Sequence, residues 1–343
     1  MILLGDSATD WVRVQVEGLA QALSTPGSAV YPFEVRALLA ILLVSFSCGI
    51  VGSLVVGNRM AFFSDAMAHT AFAGVAFSLL AIVAMAGVST PRQAEPYLWI
   101  VPWAMCGIGA AAGITIAFVR ERTNLGNDTV IGVFFALALG LAAVLLPALR
   151  QRVNLDPESI LFGQLTLIGD RDLLGLGILA ILTASVVAWR YNSFVFSSFN
   201  PGLAKSRGLP VRWNNYLFIV LLALVVNLSI KAVGILLINA LLVVPAAAAA
   251  NCSRNLRRMF WFTLAGSILC GLAGYRWSTR AAIPAGVTEP LRVGPAGMVV
   301  CVCVGWFFAS IGIRAVRQRF FGAAIPAGAC TQDHGDGQYP HTH

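Results

Sequence analysis

The sequence has 343 residues, 58% of them hydrophobic and only 11% charged, with a mean hydropathy of +0.80. A soluble domain of this length carries about a quarter charged residues, so the composition excludes an ordinary soluble enzyme or binding module and points to a polytopic helical membrane protein. The net charge of +8 does not mark a nucleic-acid binder, because the basic residues fall in short loops between apolar runs, where they orient helices.

Residues 1–35 are mixed and mildly amphipathic (Trp11, Val12, Val14, Val16, Leu19), more like an extracytoplasmic, interfacial segment than a span. Apolar runs over 36–315 then predict an all-α transmembrane helical bundle of about nine spans, with eight as the alternative count. They fall at 36–57, 60–86, 97–119, 128–149, 171–190, 213–231, 232–250, 257–276 and 294–315. The loops holding Arg59, Arg120, Arg122, Arg190, the 191–212 connection, Arg254 to Arg258 and Arg314 to Arg319 carry thirteen of the 23 Lys and Arg. That bias places 191–212 and the C-terminus in the cytoplasm and the N-terminus outside. Residues 316–343 form a cytoplasmic tail in which His334, His341 and His343 could chelate a metal. A disordered tail with incidental histidines is the simpler reading. The seven cysteines form no zinc-finger or disulfide framework. No stretch matches G-x-x-x-x-G-K-[ST], so the chain is expected to be no enzyme, and any ATP-driven force must come from a partner.

Four stretches call for more than a span. In the second span, Asp65 and His69 stand four residues apart and share one helix face. Ionisable groups are costly in a bilayer and face a bundle interior, a partner or a polar pathway. A carboxylate and an imidazole suit zinc or manganese, while an Asp–His hydrogen bond tying two helices together explains the pair equally well. In the cytoplasmic connection, Asn200-Pro201 reads as an N-cap with proline at the first helical position and Gly208 as the stop, which predicts a short, basic, surface-lying helix. In Lys231 to Ala250, Gly234, Ala240 and the alanine run permit close helix approach, and Pro245 can kink the span. Asn239, the lone polar group of that run, reads as a helix–helix hydrogen bond rather than a ligand. Gly294-Pro295-Ala-Gly297 is a helix start and needs no chemistry.

Together these stretches resemble the membrane permease of bacterial zinc/manganese-type ABC importers. The resemblance rests on Asp65-Ala-Met-Ala-His69 with Gly74, Leu161-Phe-Gly163, Ser198-Phe-Asn-Pro-Gly-Leu-Ala204 with Gly208, Val233-Gly-Ile-Leu-Leu237 with Ala240 to Ala246, and Pro295-Ala-Gly297, and it covers roughly 36–315. Asn200 stands where the family carries an acidic residue. The resemblance implies a type II ABC-importer-like permease in the bacterial inner membrane, a homodimer served by two copies of a cytoplasmic ATPase and by an extracytoplasmic metal-binding protein. It implies that Asp65 and His69 line the translocation path, and that Ser198, Phe199, Asn200, Pro201, Gly202, Leu203, Ala204 and Gly208 dock the ATPase. The cargo would be a divalent transition metal, zinc first, with manganese or iron next. No permanently bound cofactor and no nucleic acid are implied. A vitamin or siderophore importer and a membrane scaffold are the competing readings, and neither needs the Asp65–His69 pair.

Overall fold

In lipid, a chain must satisfy its own backbone hydrogen bonds, and apolar runs of about 20 residues do so as helices. A computed structural model of the protein describes residues 2–23, 31–58, 60–86, 93, 97, 100–123, 125–150, 163, 165, 168–199, 201–253, 255–280, 282–283, 291–292 and 294–321. Among the described residues the helices are α1 Ile2–Leu23, α2 Pro32–Gly57, α3 Ala61–Ala86, α4 Val101–Arg122, α5 Asn127–Arg150, α6 Asp170–Phe199, α7 Pro201–Ser206, α8 Val211–Val233, α9 Ile235–Cys252, α10 Leu256–Arg280 and α11 Pro295–Phe321. A two-residue antiparallel ladder, Ala282–Ile283 with Leu291–Arg292, lies between the last two helices.

Eight of these helices (α2 to α6, α8, α9 and α11) are long and apolar enough to cross a membrane. The ninth expected span, 257–276, falls on α10, which is less apolar although its 25 residues extend about 37 Å. Arg257, Arg258, Arg276 and Arg280 near its ends lower its mean hydropathy, and its middle is rich in small residues. Buried Gly266, Ser267, Gly271 and Gly274 replace the bulky side chains of an ordinary span, and they let α2 and α11 approach closely. On the α2 side of this contact, a methyl group at Gly49 would lie 3.0 Å from the Leu264 Cα. The Ser267 hydroxyl also donates to the Ser45 carbonyl at 2.9 Å.

The helices sort into two packing groups. Helices α2 and α11 each pack on both α9 and α10, which also pack on each other, and α3, α4 and α5 form a second group. Helix α6 lies against α2 and α8, and α8 lies against α4, so these two join the groups from one side. Helix α9 meets α3 directly across the seam. At one end of the bundle, α1 rests on α2 and α6 through buried Val16 and Ala20. Beside it, Arg36 pairs with Asp170 (Nε to Oδ1, 2.8 Å) and Lys231 with Asp172 (Nζ to Oδ1, 2.7 Å).

Two findings alter the expected layout. The spans foreseen at 213–231 and 232–250 are separate helices joined by one residue, Gly234, at φ +81°. Gly163, at φ +70°, presses on that joint, and a Cβ there would collide with the Val233 carbonyl group and the Gly234 nitrogen. Only glycine fits this backbone conformation and this approach without strain. The other finding concerns the cytoplasmic connection. The foreseen short helix is present as α7, and Gly208 at φ +73° ends it. Ala204, however, is fully buried within the chain itself and offers no face to a partner. The methyl group anchors α7 from beneath, leaving Gly202, Leu203, Lys205 and Arg207 exposed. Leu161, Phe162, Asn200 and the tail residues His334, His341 and His343 lie outside the described residues.

Candidate metal path

Helix α3 is built so that only two of its side chains remain unsatisfied by the helix. Its hydroxyls bond back to their own turn: Ser64 to the Ala61 carbonyl at 2.8 Å, Thr70 to Met67 at 2.7 Å and Ser78 to Val75 at 2.8 Å. This is how a hydroxyl survives in an apolar span. Gly74 lets α4 come close, since a Cβ there would lie 3.1 Å from the Met105 Cα. Asp65 and His69 have no such local solution.

The two side chains do project together, as i and i+4 on one face. The His69 Nε2 stands 3.7 Å from the Asp65 Oδ1, with the carboxylate side chain 42% exposed and the imidazole 19%. That separation is too long for a hydrogen bond. Two donors on one tetrahedral ion with bonds near 2.05 Å lie about 3.3 Å apart, so a small side-chain adjustment would let both bind the same cation. The imidazole is held between Phe72, roughly parallel at 6.0 Å, and Phe135 of α5, edge-on at 4.7 Å. Its Nδ1 is buried without a hydrogen-bond partner.

Asn239 of α9 completes the arrangement by donating from Nδ2 to the Asp65 Oδ1 at 2.7 Å. This is the helix–helix hydrogen bond expected of that residue, and it crosses the seam between the two packing groups. Its landing point on Asp65 was not expected. The signal in the sequence was the isolation of Asn239 in an apolar run, which marks a polar contact without naming its partner. The Asn239 Oδ1 is buried and unpaired. Among the described residues no cluster of three His, Cys, Asp or Glu gathers here or elsewhere.

The site opens onto a lane of exposed surface along α3, where Phe62, Phe77 and Leu80 lie on the same side as Asp65 and His69, with Leu236 exposed on the neighbouring α9. A half-exposed carboxylate cannot face hydrocarbon cheaply.

The chain is a multi-pass helical bundle with a carboxylate–imidazole pair on α3 where it meets α9. Residues 30–310 match the ABC 3 transport family. The chain belongs to that family. It is 31% identical over 252 residues to a manganese transport system membrane protein of Listeria innocua, covering 74% of this chain and 84% of the relative. To the high-affinity zinc uptake system membrane protein of Haemophilus influenzae it is 29% identical over 238 residues, 69% of this chain and 85% of that one. The fold is shared with PsaBC from Streptococcus pneumoniae, solved in complex with a Fab, at a TM-score of 0.66 and 24% identity over 85% of this chain and 95% of that one. The protein is therefore a multi-pass membrane permease of the metal ABC-importer type, and its family implies an ATPase and a substrate-binding protein as partners.

Proposed function

We propose that the protein passes a divalent transition metal ion inward along the lane that carries Asp65 and His69, received from an extracytoplasmic metal-binding protein. The observation that carries this reading is the placement of the His69 Nε2 3.7 Å from a half-exposed Asp65 carboxylate oxygen on the same helix face, close to the spacing of two ligands. Two protomers facing each other across this lane would shield the carboxylate from lipid and double the donor set, which favours a homodimer. Two copies of a separate ATPase would then drive the pair, docking on α7 and the turn after it through the exposed Leu203, Lys205 and Arg207. The Asp65–His69 pair alone serves zinc with four ligands or manganese with waters completing an octahedron.

The test is uptake of radioactive zinc and manganese by cells expressing the whole transporter. His69→Ala and Asp65→Asn should each reduce uptake by at least about tenfold, a typical loss when a metal site loses a supporting group, at an unchanged amount of permease in the membrane. Uptake at the unaltered rate in both variants would remove the pair from the path.

A further inference from the structure

We infer that Asn239 is the third protein donor of the path site, a latch on Asp65 when the site is empty and an oxygen ligand when it is loaded. The inference rests on the reading of Asp65 and His69 as path residues and adds to it the group that sets which ion is preferred.

Three observations meet at this residue. Its amide nitrogen donates to the same carboxylate oxygen that lies nearest His69. Its own oxygen is buried and has no hydrogen-bond partner. The His69 Nδ1 is buried and unpaired as well. A buried amide that pairs only its donor end leaves an acceptor desolvated without compensation, which is costly. A cation supplies the missing partner. The terminal torsion of Asn is broad and nearly two-fold, so the torsion itself hardly opposes turning the amide over; the exchange gives up the hydrogen bond to Asp65 and turns the amide nitrogen to the buried side, a cost that the bound cation offsets. The oxygen would then stand where the nitrogen is now, 2.7 Å from the Asp65 Oδ1. Two oxygens at adjacent corners of an octahedral ion with bonds of ~2.1–2.2 Å lie about 3 Å apart, so the turned amide arrives at ligand spacing without movement of either helix.

The donor set becomes carboxylate, imidazole and amide oxygen. Carbonyl and carboxylate oxygens with water suit manganese, whereas zinc is content with fewer ligands and with nitrogen or sulfur. The second oxygen therefore favours the harder ion. In the empty site the same amide keeps the carboxylate from swinging away and lowers the cost of leaving it half-desolvated.

The experiment compares Asn239→Leu, which keeps the branching at Cγ and has no donor or acceptor, with Asn239→Asp, which keeps the oxygen and removes the latch. Both are measured in the complete transporter by zinc and manganese uptake. Manganese retained by the purified, detergent-solubilised complex is read separately by electron paramagnetic resonance. Asn239→Leu should lower manganese uptake and the bound-manganese signal by about tenfold or more, with a smaller loss for zinc, so that the manganese-to-zinc ratio falls. Asn239→Asp should keep manganese binding, which also answers for a leucine variant that fails to fold. If Asn239→Leu keeps both rates, their ratio and the bound signal while Asp65→Asn and His69→Ala are inactive, Asn239 only ties helices together and the inference is overturned. If Asp65→Asn and His69→Ala themselves transport normally, the path reading fails first and takes this inference with it.

Discussion

Replacing Gly163 by alanine tests whether the α8–α9 joint is held by contact or merely by chain connectivity. Two costs add at this position. The residue sits at φ +70°, where an L side chain costs about 1–2 kcal/mol. The new methyl group would also meet fixed backbone, lying 2.8 Å from the Val233 carbonyl oxygen and closer still to the Val233 carbonyl carbon and the Gly234 nitrogen. Backbone cannot rotate aside as a side-chain tip can, and forcing extra atoms into a packed interior costs about 1–3 kcal/mol. The sum is about 2–5 kcal/mol. Gly208→Ala supplies the control, since it has nearly the same φ, +73°, but open space around its would-be Cβ. It should show only the first cost. Denaturation of both variants in detergent, followed by circular dichroism, reads the difference as the contact term. Gly163→Ala should also slow metal uptake, because the joint positions α9 and hence Asn239. Equal stability losses in the two variants would refute the close approach of Gly163 to the joint.

On α7, Leu203→Glu should leave permease abundance unchanged and abolish co-purification with the ATPase, while Ala204→Glu should lower abundance itself by placing a charge at a fully buried position; immunoblots and pull-downs of the two variants separate these outcomes. Asp170→Asn keeps the side chain's shape at the start of α6 but removes the charge partner of Arg36 in a pair about three-quarters buried, so it should cost about 1–3 kcal/mol, between the values for exposed and buried pairs, measured by the same detergent denaturation. Deleting residues 326–343 should leave uptake at low metal unchanged; if the tail histidines regulate transport, the truncated protein keeps transporting at high metal where the full chain slows, and matching metal dependence in the two would reduce the tail to an appendage.

The sequence exposed those features whose cost is local. Asp65 and His69 stand out because two ionisable groups in an apolar run need a reason whatever surrounds them. Pro201 and Gly208 announce the short helix α7 because both act on their own backbone. What could not be read are the contacts made by residues distant in the chain. Asp65 and Asn239 are 174 residues apart, and helical periodicity carries no information on which spans meet. Gly163 and Gly234 each look like ordinary breakers until both are seen at positive φ and touching. Ala204 belongs to the docking stretch that the family resemblance implies, but a small side chain serves burial beneath a helix as well as it serves approach by a partner. Helix α10 shows the same ambiguity from the side of composition, where four arginines near its ends dilute the apolar signal that marks a span.

The one-residue connection at Gly234 also has a mechanical consequence. A helix pivoting there behaves as a rigid lever whose arms are fixed by residue count. Asn239 lies five residues from the pivot, about 7.5 Å, and Cys252 eighteen residues away, about 27 Å. A rotation of about 10° would carry the far end about 5 Å but the Asn239 position only about 1.3 Å, taking the 2.7 Å contact with Asp65 to about 4 Å and out of hydrogen-bonding range. The gearing is nearly fourfold. A broad swing at one end of the bundle is thereby reduced to a displacement on the scale of a single bond at the Asn239–Asp65 contact, with Gly163 bearing on the fulcrum.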